Sequence, residues 1–209
     1  MDGLDADSSA PVPFVNDLVA LLAFAFVGTV SPGPNNAVLW ASGLEFGFRR
    51  TIPHIVGTAL GIGVLVVGVA AGIGVLLEAV PAAELVLKVL GSAYLLYIAF
   101  RVIEGGAVRR AKVTHPFSVW HAIGFQCVNP KAWVFALAAV GTFLPPELGW
   151  LAGVALLTGI LMIVVVGSSS VWAAGGAALG RVVEDERKRR AVSIALAVLL
   201  VASVALLWV

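Results

Sequence analysis

Apolar residues run along this chain in six long blocks separated by short polar segments. Residues 18–44 and 55–77 contain no charged side chain, and residues 85–100 are interrupted only by Lys88. Residues 117–144 contain His121 and Lys131, residues 148–180 are free of charge, and residues 191–209 are apolar throughout. A bilayer core takes about 20 apolar residues in a helix. The pattern therefore predicts an all-α membrane protein of six transmembrane helices over residues 14–209, preceded by an extracytoplasmic tail at 1–13.

The charges between the blocks give the protein an orientation. Arg49 and Arg50 follow the first block; Arg101, Arg109, Arg110 and Lys112 follow the third; Arg181, Arg187, Lys188, Arg189 and Arg190 follow the fifth. These are 11 of the 13 basic residues, leaving only Lys88 and Lys131. Asp2, Asp5, Asp7, Glu78, Glu84 and Glu147 occupy the tail and the other two loops. Cytoplasmic loops carry the excess of Lys and Arg, so both termini are expected outside.

Composition agrees with a membrane protein. The chain is 60% hydrophobic and 12% charged, where soluble domains carry roughly 25% charged residues, and its mean hydropathy is +1.04. With a net charge of +1 and basic residues confined to short loops, the charges report topology and no nucleic-acid partner is expected. Acids with Pro11 and Pro13 stand where the basic region of a cleavable signal would be, so none is expected. Cys127 is the single cysteine and has no intrachain partner to pair with. The longest polar stretch, residues 104–116, is an ordinary connection, so one domain is expected.

The first and fourth blocks are longer than a span needs, and both are broken by proline. The first reads Gly28-Thr-Val-Ser-Pro32-Gly33-Pro34-Asn35-Asn36, the fourth Gly124-Phe-Gln126-Cys-Val-Asn129-Pro130-Lys131. Each has a glycine six residues before its proline. Three spans on, the fourth block crosses in the opposite direction to the first, which is the layout of an inverted three-plus-three repeat. A proline removes one backbone donor and clashes with the carbonyl four residues earlier. Pro32, Pro34 and Pro130 thus release the carbonyls of Gly28, Val30 and Gln126. Proline also suits the first position of a helix, and Asn129 suits the cap before Pro130. Each long span therefore reads as two half-helices, the second presenting free N–H groups and a positive dipole end that attract an anion.

Lys131 lies about 21 Å into its span at 1.5 Å per residue, too deep for its stem to reach the interface. No Asp or Glu lies in a span core to pair with it. Either the substrate supplies the anion, or released carbonyls and water satisfy the ammonium. Asn35, Asn36, Gln126 and Asn129 gather at the two breaks, able to hold both ends of a zwitterion or to satisfy the broken backbone. Ser168, Ser169 and Ser170 suit helix packing, as do the Gly57/Gly61 and Gly68/Gly72 spacings, and such glycine-rich faces permit a homodimer. His54, His121, Asp17 and Glu45 sit near span ends, where polar side chains are usually solvated; each is also a candidate for proton coupling.

Four segments together, Ser31-Pro-Gly-Pro-Asn-Asn36, Gly47-Phe-Arg-Arg-Thr51, Gly91-Ser-Ala-Tyr-Leu-Leu-Tyr97 and Phe125-Gln-Cys-Val-Asn-Pro-Lys-Ala132, resemble the LysE/RhtB amino-acid exporters. The resemblance extends from Phe14 to the last span. It implies a secondary transporter of the bacterial inner membrane that exports amino acids or derivatives, with both proline motifs at the substrate site. The expected substrate-binding residues are Pro32, Gly33, Pro34, Asn35, Asn36, Gln126, Asn129, Pro130 and Lys131. Pro-Gly-Pro-Asn-Asn36, Phe-Gln-Cys-Val-Asn129 and Trp172-Ala-Ala-Gly175 are most similar to the cysteine and O-acetylserine exporters of that family, and the acid-free span cores favour a neutral substrate. Alternating access, with a proton as coupling ion, is the expected mechanism, and no cofactor or resident metal is expected. The rival reading, an inorganic-ion or heavy-metal exporter, wants grouped carboxylates, thiolates or imidazoles. A membrane serine hydrolase would need a nucleophile motif that the chain lacks.

Overall fold

A computed structural model of the chain describes residues 13–73, 81–107, 116–182, 186–205 and 208. Asp2, Asp5, Asp7, Glu78, Arg109, Arg110 and Lys112 lie outside the described residues. Those described form eight α-helices and one short 3₁₀ turn, with no strand among them. The helices are α1 (Pro13–Val30), α2 (Pro34–Phe46), α3 (Phe48–Ala70), α4 (Pro81–Ala107), α5 (Val119–Val128), α6 (Pro130–Phe143), α7 (Trp150–Val182) and α8 (Glu186–Ala205); the 3₁₀ turn is Pro146–Leu148.

Both proline motifs break a helix where the sequence predicts it. Helices α1 and α2 form a pair bent by 60°, and α5 and α6 a pair bent by 75°. Pro34 and Pro130 open the second half of each pair, because the first turn of a helix does not use the missing N–H. Gly47 makes the corner between α2 and α3: its φ is +79°, open to glycine at little cost, and its amide closes α2 on Gly43 O at 2.9 Å. α3 and α7 are each long and apolar enough to cross a membrane, and counting each bent pair as one span makes four. The apolar parts of α4 and α8, Lys88–Phe100 and Arg190–Ala205, are shorter than the roughly 20 residues of a full crossing.

Glycines let backbones meet. A Cβ on Gly43 would strike the Ala173 carbonyl and one on Gly176 the Trp40 carbonyl, while one on Gly180 would stand 2.6 Å from Leu44 O. Helices α2 and α7 therefore meet backbone to backbone at these glycines, with Trp40 and Trp172 in edge contact beside them, and α7 also packs along α1 and α3. Gly57 and Gly61 likewise admit α5, with Ala122 Cβ at 2.6 Å and Gln126 Cγ at 2.7 Å from the added carbons. The Gly68/Gly72 spacing does not make such a contact: Gly72 lies past the end of α3 with φ +99°.

Two apolar clusters flank the breaks. One joins Leu21 and Ala25 of α1 to α3, α6 and α7, with Phe24 stacked on Phe135 at 5.2 Å. The other joins Ala37 and Val38 of α2 to Phe125, Leu95, Ile98 and Leu200 of α5, α4 and α8. Large apolar side chains such as Phe26, Val64, Phe100, Ile163 and Val171 are exposed on the outer surface. A continuous apolar exterior of this kind suits lipid and not water.

Candidate functional site

Between the two clusters the breaks leave a cavity of about 440 Å³, counting its open mouth. Six of the nine residues expected at the site line it: Gly33, Asn35, Asn36, Gln126, Asn129 and Lys131. Pro32, Pro34 and Pro130 shape the breaks but are not part of the wall. Thr29, Thr58, Ile62, Phe135, Val165 and Ser169 complete much of it. Ser169, read from sequence as a packing residue, thus faces the cavity, whereas Ser168 is buried with an unpartnered hydroxyl.

The end of α1 shows where the broken backbone finds its partners. Ser31 donates its amide to Val27 O at 3.1 Å and its hydroxyl to Gly28 O at 3.0 Å. Asn36, two residues into α2, reaches back to donate both amide hydrogens, to Thr29 O at 2.7 Å and Ser31 O at 2.9 Å. Lys131 arrives from α6 and donates to Ser31 O at 2.8 Å, Ser31 Oγ at 2.7 Å and Pro32 O at 3.3 Å. A cation at a helix C-terminus meets the negative end of the dipole and exposed carbonyls. The ammonium is held here by two carbonyls of the broken backbone and the Ser31 hydroxyl. Its stem lies on Gly33, where an added Cβ would stand 2.9 Å from Lys131 Cδ. The two proline motifs are thus in direct contact.

A second set of bonds links the amides across the cavity wall. Gln126 Nε2 donates to Asn35 Oδ1 at 2.8 Å and Thr58 Oγ1 to the same oxygen at 3.2 Å. Asn129 Nδ2 donates to Gln126 Oε1 at 3.3 Å, leaving Asn129 Oδ1 buried and unpartnered. Asn129 stands at the cap position before α6, but its side chain makes no capping bond. The site thus offers the backbone amides of Asn35 and Asn36 at the start of α2 and of Lys131 at the start of α6, while Ala37 N and Ala132 N are taken by Gly33 O and Asn129 O, and an unpaired acceptor oxygen.

The other candidates fall elsewhere. His121 is exposed and bonds Ser118 at the start of α5, 2.8 Å from Nδ1 to Oγ. Asp17 and Glu45 are exposed, and His54, expected at a wetted end, is fully buried. Among the described residues, no group of three or more His, Cys, Asp or Glu side chains could hold a metal ion. Thr58 and Phe135 carried no sequence signal, because nothing local distinguishes a lining threonine or phenylalanine from a packed one.

Broken apolar helices whose bends meet around a cavity lined by Asn35, Asn36, Gln126, Asn129 and Lys131 define a helical membrane transporter. The chain belongs to the LysE family: the profile of the LysE type translocator matches residues 26–208. It is 30% identical over 147 residues to the cysteine/O-acetylserine efflux protein of Salmonella typhimurium, covering 69% of this chain and 75% of that one. It is 31% identical over the same length and shares to the cysteine/O-acetylserine efflux protein of Escherichia coli O1:K1. No solved structure matches. The protein is therefore a membrane transporter and not an enzyme, in a family whose named relatives here perform efflux of amino acids.

Proposed function

We propose that this protein exports small neutral amino acids, of the cysteine and O-acetylserine class, across the bacterial inner membrane. In this reading residues 14–209 form six spans in two inverted halves, both termini face outside, and the two halves rock about the cavity. The observation that carries it is the meeting of both helix breaks at one cavity, with Lys131 joined to the opposite break. A substrate carboxylate fits the free amides at the starts of α2 and α6 and the positive charge of Lys131 beside them. A substrate ammonium fits Asn129 Oδ1, the acceptor with no partner. Among the described residues no carboxylate lines the cavity, so a second positive charge, as on lysine, would enter without a counter-ion.

The test is efflux of labelled O-acetyl-L-serine and L-cysteine from proteoliposomes holding the purified chain, with labelled L-lysine as the contrast. The neutral substrates are expected to leave and lysine to stay. Undiminished efflux by folded Lys131→Ala protein would remove Lys131 from the site, and transport of lysine alone would overturn the substrate class.

A further inference from the structure

Away from the cavity wall, His54 is fully buried in α3, and among the described residues neither ring nitrogen has a hydrogen-bond partner. Leaving a buried donor and acceptor unsatisfied is costly, and a native structure that does so calls for a reason. The position of His54 suggests one. Thr51, His54 and Thr58 stand at i, i+3 and i+7, so they share one face of the helix, and all three are buried. Thr58 lines the cavity and bonds Asn35. Thr51 bonds Ser42 of α2 at 2.9 Å and, one turn from the Gly47 corner, donates to Gly47 O at 3.0 Å.

Polar groups thus run down the α2–α3 seam from the cavity to the corner that carries Arg49 and Arg50. His54 is its unpaired middle member, roughly 6 Å along the axis from Thr58 and roughly 4.5 Å from Thr51. Phe117 covers the ring at 4.9 Å between centroids. Among the described residues, the charged or titratable groups on the packed elements are Glu45 on α2, Arg49 and Arg50 on α3, His121 on α5 and Arg181 on α7, all exposed, and the half-buried Cys127 on α5. Lys131 lies beyond the cavity, on Ser31. Among the described residues, no hydrogen bond joins any of these to the imidazole.

We propose that His54 carries the proton that couples efflux to the proton gradient. The proposal rests on reading the cavity as the transport site. The neutral imidazole takes a proton from hydronium onto its lone-pair nitrogen, becoming imidazolium as the water O–H bond breaks. It later returns that proton to water on the other side, and no other bond changes. A buried cation without a partner is unfavourable unless water reaches it. Protonation and opening of the seam are then linked, so the proton biases one of two arrangements of the protein.

The experiment uses the full chain in proteoliposomes with labelled O-acetyl-L-serine, comparing wild type with His54→Gln and His54→Asn in two modes. One is efflux driven by a pH difference; the other is exchange of labelled for unlabelled substrate at equal pH, which needs no net proton movement. Driven efflux is expected to fall by about tenfold or more, within the range of coupling free energies, while exchange persists. Driven efflux that persists in either variant overturns the proposal. So does loss of both modes in both variants, which would make His54 a structural residue. A wild type that exchanges neither O-acetylserine nor cysteine would instead sink the reading of the cavity, and the assignment of His54 with it.

Discussion

In the first broken span the chain takes three residues, Ser31, Pro32 and Gly33, to turn by 60°; in the second it turns by 75° at Asn129 alone. The wider break exposes more backbone and consumes more donors. Ser31, Asn36 and Lys131 between them donate to the carbonyls of Val27, Gly28, Thr29, Ser31 and Pro32. The narrower break closes locally: Asn129 N reaches Gln126 O at 3.2 Å, and Trp133 Nε1 pins Cys127 O at 2.7 Å. It has a lysine to lend and an acceptor, Asn129 Oδ1, left over. The two motifs look alike in sequence yet divide the labour. The first gathers most of the side-chain donors to its own carbonyls, and the second supplies a cation to it and keeps an unpaired acceptor.

Lys131→Ala attacks that division hardest. It strips three bonds from the first break and a charge from the cavity. Efflux is expected to fall to background and unfolding stability in detergent to drop by about 2–3 kcal/mol, since bonds to charged groups are the stronger ones. Asn36→Ala and Asn129→Ala separate the two roles. The first takes the side-chain donor from Thr29 O and leaves Ser31 O to Lys131 alone, and should cost about 2 kcal/mol in a thermal melt. The second should melt near wild type while raising the substrate concentration needed for half-maximal efflux. Equal stability losses would erase the contrast.

A smaller effect separates the paired glycines. A methyl on Gly28 would stand 2.8 Å from the Phe135 ring, while one on Gly124 meets nothing within 4 Å. Gly28→Ala should cost about 1–2 kcal/mol by overpacking, and Gly124→Ala should be neutral or stabilise by about 0.5–1 kcal/mol through helix propensity. Smallest of all, Thr58→Val removes one 3.2 Å bond to Asn35. It should lower stability by no more than about 1 kcal/mol, detectable by a denaturant titration.

Proline chemistry made the breaks legible in the sequence, because loss of a donor and a clash with a carbonyl act within one turn. Helices accordingly restart at Pro34 and Pro130. Lys131 was legible as a buried cation needing a partner, but the partner was not, since Ser31 lies a hundred residues away and offers only backbone and a hydroxyl. Helix ends were less legible than apolar blocks. The second block begins at residue 55, yet α3 starts at Phe48, because helical hydrogen bonding continues through Arg49 and Arg50 regardless of their polarity. For the same reason His54 looked wetted and is buried. Thr58, Ile62 and Val165 reach the cavity only through the crossing of α3 and α7, which no local pattern encodes.

That crossing has a further consequence. At 33 residues, α7 is about 50 Å long, against a hydrocarbon core of about 30 Å. A helix with such an excess lies at a slant or protrudes, and its slant follows the thickness of the surrounding lipid. With Gly176 and Gly180 set directly on the backbone of α2, α7 cannot lean without carrying the first break along. Acyl-chain length thereby becomes a mechanical input to the cavity, felt by the protein with no lipid bound at a specific site.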